Sequence, residues 1–117
     1  MSIQRINPGK RMSDICIHNQ TAYWAEVPEN LQADIEVQAQ DLLKLAEGTL
    51  AQVGSSKAGL ISATIYLKDR SLFDGFNKIW DAWLPEGQAP VRACIIAELV
   101  NPDMLVEIVF TAATGDQ

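Results

Sequence analysis

The residues best suited to chemistry lie in two β-prone runs near the C-terminus, Val91 to Ala97 with Arg92 and Cys94, and Met104 to Ala112 with Glu107. Read as an antiparallel hairpin turning near Val100 and Asn101, the runs place Cys94 opposite Glu107 and Arg92 opposite Val109. Side chains alternate along a strand and opposed residues share a side, so this register predicts Arg92, Cys94, Leu105 and Glu107 on one face. A slip of one residue would separate the pair. A guanidinium presents a rigid donor fork that suits a carboxylate, and a neighbouring carboxylate can hold or deprotonate a water attacking the adjacent carbon. The same residues have a plainer use, an Arg92–Glu107 salt bridge between subunits with Cys94 as a small hydrophobe. Ile96, Leu105 and Val109 are apolar neighbours, so charge on this face is strengthened if an oligomer buries it.

The elements that must position these groups alternate in period. Ile15 to Ile17 and Thr21 to Trp24 flank His18-Asn19-Gln20 and read as a hairpin turning near Asn19. From Asp34 to Val53 the apolar set Ile35, Ala39, Leu42, Ala46, Leu50 and Val53 forms a helical stripe, with Gly54 as its stop. Ile61, Ala63, Ile65 and Leu67 then alternate with polar neighbours, the pattern of a half-buried strand. Ser71, with Asp74 three residues on, can cap a second helix whose stripe is Leu72, Phe73, Phe76, Trp80 and Trp83, ending at Pro85 and Gly87. The two tryptophans read as core or subunit contact rather than a ligand platform. Hairpin, helix, strand, helix, hairpin makes an α+β arrangement in which two helices cover one sheet face. The outward set Tyr66, Ile96, Leu105 and Val109 is too apolar for water, which predicts packing against another copy of the chain.

Composition narrows the function classes. The whole chain, 1–117, is the size of one domain, and 48% hydrophobic with 21% charged residues suits a packed core. Lys plus Arg number 9 against 15 Asp plus Glu, a formal charge of −6, so nucleic acid is not an expected partner. Two cysteines outside a CxxC pair and a single histidine, His18, supply neither a disulfide framework nor a metal-ligand set, and no metal is expected. No apolar run reaches the roughly 20 residues of a membrane span, and Met1 to Lys10 lacks a signal peptide's apolar centre. No membrane partner is expected, and the expected location is the cytoplasm. Gly54-Ser55-Ser56-Lys57 lacks the spacing of a phosphate loop.

Ala89-Pro90-Val91-Arg92-Ala93-Cys94 followed by Leu105-Val106-Glu107-Ile108 resembles the C-terminal signature of the Rid family, the reactive intermediate deaminases also called YjgF-like. Ala25-Glu26-Val27-Pro28 stands where that family often has Gly-Gln-Ile-Pro. Thr64 to Asp69 resembles its central strand and Phe73 to Asn77 the start of its second helix. The Ser13-Asp14 region, Val27-Pro28-Glu29-Asn30 and Trp80-Asp81-Ala82-Trp83 are similar to the YoaB-like branch.

The resemblance implies a chorismate-mutase-like fold of the bacillus type, assembled as a homotrimer with clefts between subunits. It implies hydrolysis of enamines and imines such as 2-iminopropanoate or 2-iminobutanoate to a 2-keto acid and ammonia, with no cofactor. By carry-over, Arg92 grips the substrate carboxylate, Cys94 lines the pocket with its backbone near the imine, and Glu107 positions water. The alternative is a non-catalytic module that binds a small keto acid in the same cleft. Where many active members carry a Tyr that closes the cleft this chain has Arg11, and the family glycine is Ala25, preceded by Trp24. Arg11, Trp24 and Ala25 are thus candidate substrate-binding positions, Arg11 being either a second anion contact or a solvated arginine. Cys94 is either a thiol activated by Arg92 or an inert buried one.

Overall fold

The computed structural model describes residues 2–115. A short first strand, β1 (Gln4–Ile6), pairs antiparallel with β2 (Ile15–His18), which pairs in turn with β3 (Thr21–Glu26). Asn19 and Gln20 link the last two with φ of 51° and 59°, two consecutive left-handed residues that turn the chain tightly. The hairpin expected around Asn19 is therefore present, and β1 is an addition to it.

Helix α1 (Ile35–Gln52) is capped by Asp34, whose Oδ1 accepts from the Val37 N–H at 3.0 Å. It buries Ala39, Leu42, Leu43, Ala46 and Leu50, and Gly54 leaves it at φ +71°. Strand β4 (Leu60–Leu67) follows, then a 3-10 turn and helix α2 (Phe73–Trp83). The Ser71 hydroxyl donates to Asp69 and caps nothing, so α2 starts out of the 3-10 turn and not from the expected Ser71 cap. Phe76 and Trp80 are buried, as the stripe predicted. A Cβ at Gly75 would lie 3.0 Å from Ile35 Cγ2, so glycine lets the two helices approach closely.

The last strands, β5 (Val91–Ile96) and β6 (Val106–Ala113), do not form the expected hairpin. The sheet order is β1-β2-β3-β6-β4-β5: β4 lies between them, antiparallel to β6 and parallel to β5. Helix α2 makes the crossover that a parallel β4–β5 pair requires. Burial explains the choice. Ala63, Ile65 and Leu67 of β4 are buried, as a central strand demands, whereas β5 keeps most of its residues in partial contact with water, as an edge strand can.

Both helices cover the face bearing Ala22, Trp24, Ala63, Ile65, Leu67, Ile108 and Phe110. The other face is open. It carries Tyr23, Ala25, Tyr66, Ile95, Glu107 and Val109, which confirms the outward placement of Tyr66 and Val109. Ile96 does not belong to it. Ile96 registers with Leu67 on the helix side of the edge strand, and Leu105 precedes β6 with its N–H donating to Gln38 Oε1 at 2.9 Å. Gln38 is fully buried and also donates to the carbonyls of Ala33 at 3.2 Å and Asp103 at 3.1 Å, pinning the segment that enters β6 to α1.

Candidate active site

Register puts Arg92 beside Ala63 and Cys94 beside Ile65, both on the helix side of the sheet. Glu107 registers with Tyr66, on the open side. The shared face expected for Arg92, Cys94 and Glu107 within one chain is therefore corrected. It required β5 and β6 to be neighbours, and the insertion of β4 reverses the relation.

Arg92 lies against α2. Its Cζ is 5.8 Å from the centre of the Phe73 ring, 5.7 Å from Phe76 and 5.8 Å from Trp80. Three ring faces attract the cation where the edge strand meets the core. That attraction draws on charge and leaves the N–H fork unused. Among the described residues the Arg92 side chain makes no ion pair and no hydrogen bond, the one ion pair being Lys78–Glu36 at 3.2 Å. A half-buried guanidinium held by apolar rings with its donors unspent is suited to an incoming anion. The aromatic spacing Phe73, Phe76, Trp80 was visible in the sequence as a core stripe. Its second role as a cradle was not.

Glu107 opens into a hollow of about 380 Å³ lined by Tyr66, Ala97, Glu98, Leu99, Val100, Glu107 and Val109. No hydrogen bond or ion pair engages its carboxylate among the described residues. Cys94 packs against the core from the edge strand and is free of any disulfide. Its strand is an edge, and edge strands present alternate backbone N–H and C=O groups outward.

Trp24 and Ala25 are neighbours on β3 that point to opposite faces. Trp24 is buried and stacks on Phe110 with ring centres 5.2 Å apart, and together with Ala25 it also lines a hollow of about 210 Å³. Ala25 lies on the open face opposite Val109. Arg11 is exposed in the loop between β1 and β2, with no ion pair among the described residues.

A second carboxylate was missed from sequence. Glu26 is half-buried beside a hollow of about 210 Å³, and its Oε1 accepts from Trp24 Nε1 at 2.9 Å and Thr49 Oγ1 at 2.9 Å. Loss of water raises its pKa above the ordinary 4.5. The Thr49 and Trp24 hydrogen bonds oppose that shift, and repulsion from Glu29 adds to it. Only a polar residue two positions after Trp24, on the same face of the strand, signalled it. His18 stands at the hairpin turn with Nδ1 2.8 Å from the Ser2 carbonyl, and no three His, Cys, Asp or Glu side chains cluster as metal ligands among the described residues.

A mixed sheet with two helices on one face and an apolar second face defines the class as a chorismate-mutase-like α+β domain. A family model described as Endoribonuclease L-PSP matches residues 2–114. The RutC family protein YoaB of Escherichia coli strain K12 is 45% identical over 113 residues, 97% of this chain and 99% of that protein. A RutC family protein of Haemophilus influenzae is 39% identical over 114 residues, 96% and 98% of the two chains. The crystal structure of NMB1025, a YjgF family member from Neisseria meningitidis, superposes with a TM-score of 0.93 at 36% identity, covering 100% of this chain and 98% of that one. The chain belongs to the Rid/YjgF family, also named RutC, in its YoaB-like branch.

Proposed function

We propose that this protein hydrolyses reactive 2-imino and enamine acids to 2-keto acids and ammonia in clefts between the subunits of a homotrimer. The observation that carries this reading is the Arg92 guanidinium, cradled by three aromatic rings and without an anion among the described residues. Arg92 grips the substrate carboxylate. Glu107 lies across the sheet within its own chain, so the carboxylate that holds the water comes from a neighbouring copy. The open face of Tyr23, Ala25, Ile95 and Val109 is the surface through which copies meet, because apolar area of this kind calls for a partner.

Water adds to the carbon of the protonated imine and Glu107 takes the proton that the water sheds. Glu107 then returns it to the carbinolamine nitrogen, the C–N bond breaks as the C=O forms, and the hydroxyl proton leaves with the ammonia as ammonium. An imine carbon is already electrophilic, so orientation plus one base accounts for useful acceleration without a metal or cofactor. Ala25 and the edge-strand backbone at Cys94 line the cleft. Trp24 supports the wall from the core, and Arg11 adds positive charge near the mouth. The site of action is the cytoplasm. The ribonuclease in the family model's description is a less suitable reading here, since a formal charge of −6 opposes a phosphate backbone.

The test is a coupled assay that generates 2-iminopropanoate or 2-iminobutanoate and follows keto-acid release. Acceleration over buffer that Arg92→Ala abolishes is the predicted result. No acceleration, or an Arg92→Ala rate equal to the parent's, contradicts it. Arg11, at the position of a cleft-closing Tyr, favours one other reading, a keto-acid binding module without turnover. Arg92-dependent binding of 2-oxobutanoate in a calorimeter with every imine left unhydrolysed selects that module. A drop in mass to the monomer in either Arg92→Ala or Glu107→Ala assigns the pair to assembly instead.

A further inference from the structure

Among the described residues one buried side-chain atom has no hydrogen-bond partner, Asn77 Oδ1 on α2. Buried amide oxygens are almost always matched, so an orphan calls for a donor that arrives later. Its place on the helix narrows what that donor is. The contact of α2 with α1 runs along Gly75, Ile79, Ala82 and Trp83, through Ile35 against Gly75 and Glu47 accepting from Trp83 Nε1 at 3.1 Å. At about 100° per residue, Asn77 projects from the flank turned away from α1, next to Phe73 and Trp80 along the helix. Those two rings lie under the Arg92 guanidinium.

We propose that Asn77 is a positioning residue for Arg92. Its Oδ1 accepts a hydrogen bond from the guanidinium when the fork turns to the carboxylate of a bound 2-keto or 2-imino acid. This rests on the carboxylate-binding reading of Arg92 given above. Ring faces hold a cation in place but leave its rotation free, because the attraction follows charge and not the direction of the N–H bonds. One fixed acceptor sets that rotation. A guanidinium has five N–H donors, enough to engage a carboxylate with two and an amide oxygen with a third. The acceptor has to be neutral: a carboxylate at this position would neutralise the guanidinium and compete with the ligand. An amide orients the charge without cancelling it, and it touches neither the substrate nor the attacking water.

The test combines calorimetry of 2-oxobutanoate binding, the imine assay and thermal unfolding on the assembled protein. Asn77→Leu removes the acceptor and keeps an apolar filling. Binding is expected to weaken about tenfold or more, with the catalytic loss appearing mainly in KM. The melting temperature stays equal or rises, because the orphaned amide is gone. Asn77→Asp weakens binding as well. In an Arg92→Lys background, which keeps the charge and removes the directed fork, Asn77→Leu has a much smaller effect, since it acts through that fork. Unchanged affinity in Asn77→Leu overturns the proposal, and so does an equal loss in both backgrounds. A lowered melting temperature or a fall in assembled mass also overturns it, by assigning Asn77 to the fold or to a subunit contact. Binding that ignores Arg92→Ala overturns this proposal together with the reading it rests on. Arg92-dependent binding that ignores Asn77→Leu overturns this one alone.

Discussion

The two faces of the sheet come from the same strands and meet different demands. Trp24, Ile65, Ile108 and Phe110 lie under the helices with at most 5% of their surface exposed. One residue along, Tyr23 is 47% exposed, Ile95 43% and Val109 40%. One side of the protomer is a finished core, and the other is an apolar surface without a cover. The reactive groups follow the same division. Arg92 belongs to the helix side and Glu107 to the open side, so the proposed function, which needs both, requires a site built where two copies meet. The two carboxylates differ in the same way: Glu26, on the helix side, is occupied by Trp24 and Thr49, while Glu107 faces a hollow and makes no hydrogen bond among the described residues.

Substitutions on the two sides separate these roles. Phe110→Ala removes a fully buried ring from the covered face and is expected to destabilise the protein by about 3–5 kcal/mol in urea titration. A loss below about 1 kcal/mol would mean that the covered face is not the core. Gln38→Leu leaves the Leu105 N–H and the carbonyls of Ala33 and Asp103 unpaired, with an expected loss of about 2–3 kcal/mol. Retained stability in that variant would show that the link from α1 to the entry of β6 is incidental.

Val109→Asp, next to Phe110 but on the open face, sharpens the contrast. It leaves the fold of a protomer within about 1 kcal/mol of the parent, yet sedimentation is expected to show monomers. An intact oligomer would place the subunit contact elsewhere.

The smallest effect belongs to Glu26→Gln. Burial raises the folded pKa of Glu26 above its ordinary 4.5, so the native state holds that proton more tightly than the unfolded chain does. Its contribution is fully present below pH 4.5 and is lost as pH rises through the folded pKa. Gln cannot ionise, so Glu26→Gln should gain roughly 0.5 kcal/mol or less at pH 7, screened by the water that still reaches the group, and nothing at pH 4. A gain independent of pH would contradict this account of the carboxylate.

Much of this architecture was legible as period. The α1 stripe with its Asp34 and Gly54 ends, the alternation of β4 from Ala63 to Leu67, the Asn19 turn and the one-sided helical cover all followed from spacing, because burial imposes 3.6 or 2 on the residues it selects. A register shift between Leu60 and Ser62, by contrast, leaves Ile61 exposed. Pairing was not legible in the same way. The runs holding Arg92 and Glu107 are adjacent in sequence, and adjacency suggested a hairpin. The partner of each strand is instead decided by how apolar β4 is, a comparison among three strands that no window along the chain contains. The site residues themselves stood out by type, but their sides of the sheet depend on that pairing. Asn77 was visible only as a polar residue on a helix, and its unmatched oxygen appears only once the helix is packed.

The split of the site between copies has a direct measurement. Arg92→Ala and Glu107→Ala protomers, each inactive alone, are mixed under conditions that exchange subunits, and imine hydrolysis is followed. If each cleft takes its guanidinium from one copy and its carboxylate from the next, random mixing in equal amounts restores about a quarter of the parent activity. Mixed assemblies as inactive as their parents would show that no cleft joins the two groups across copies.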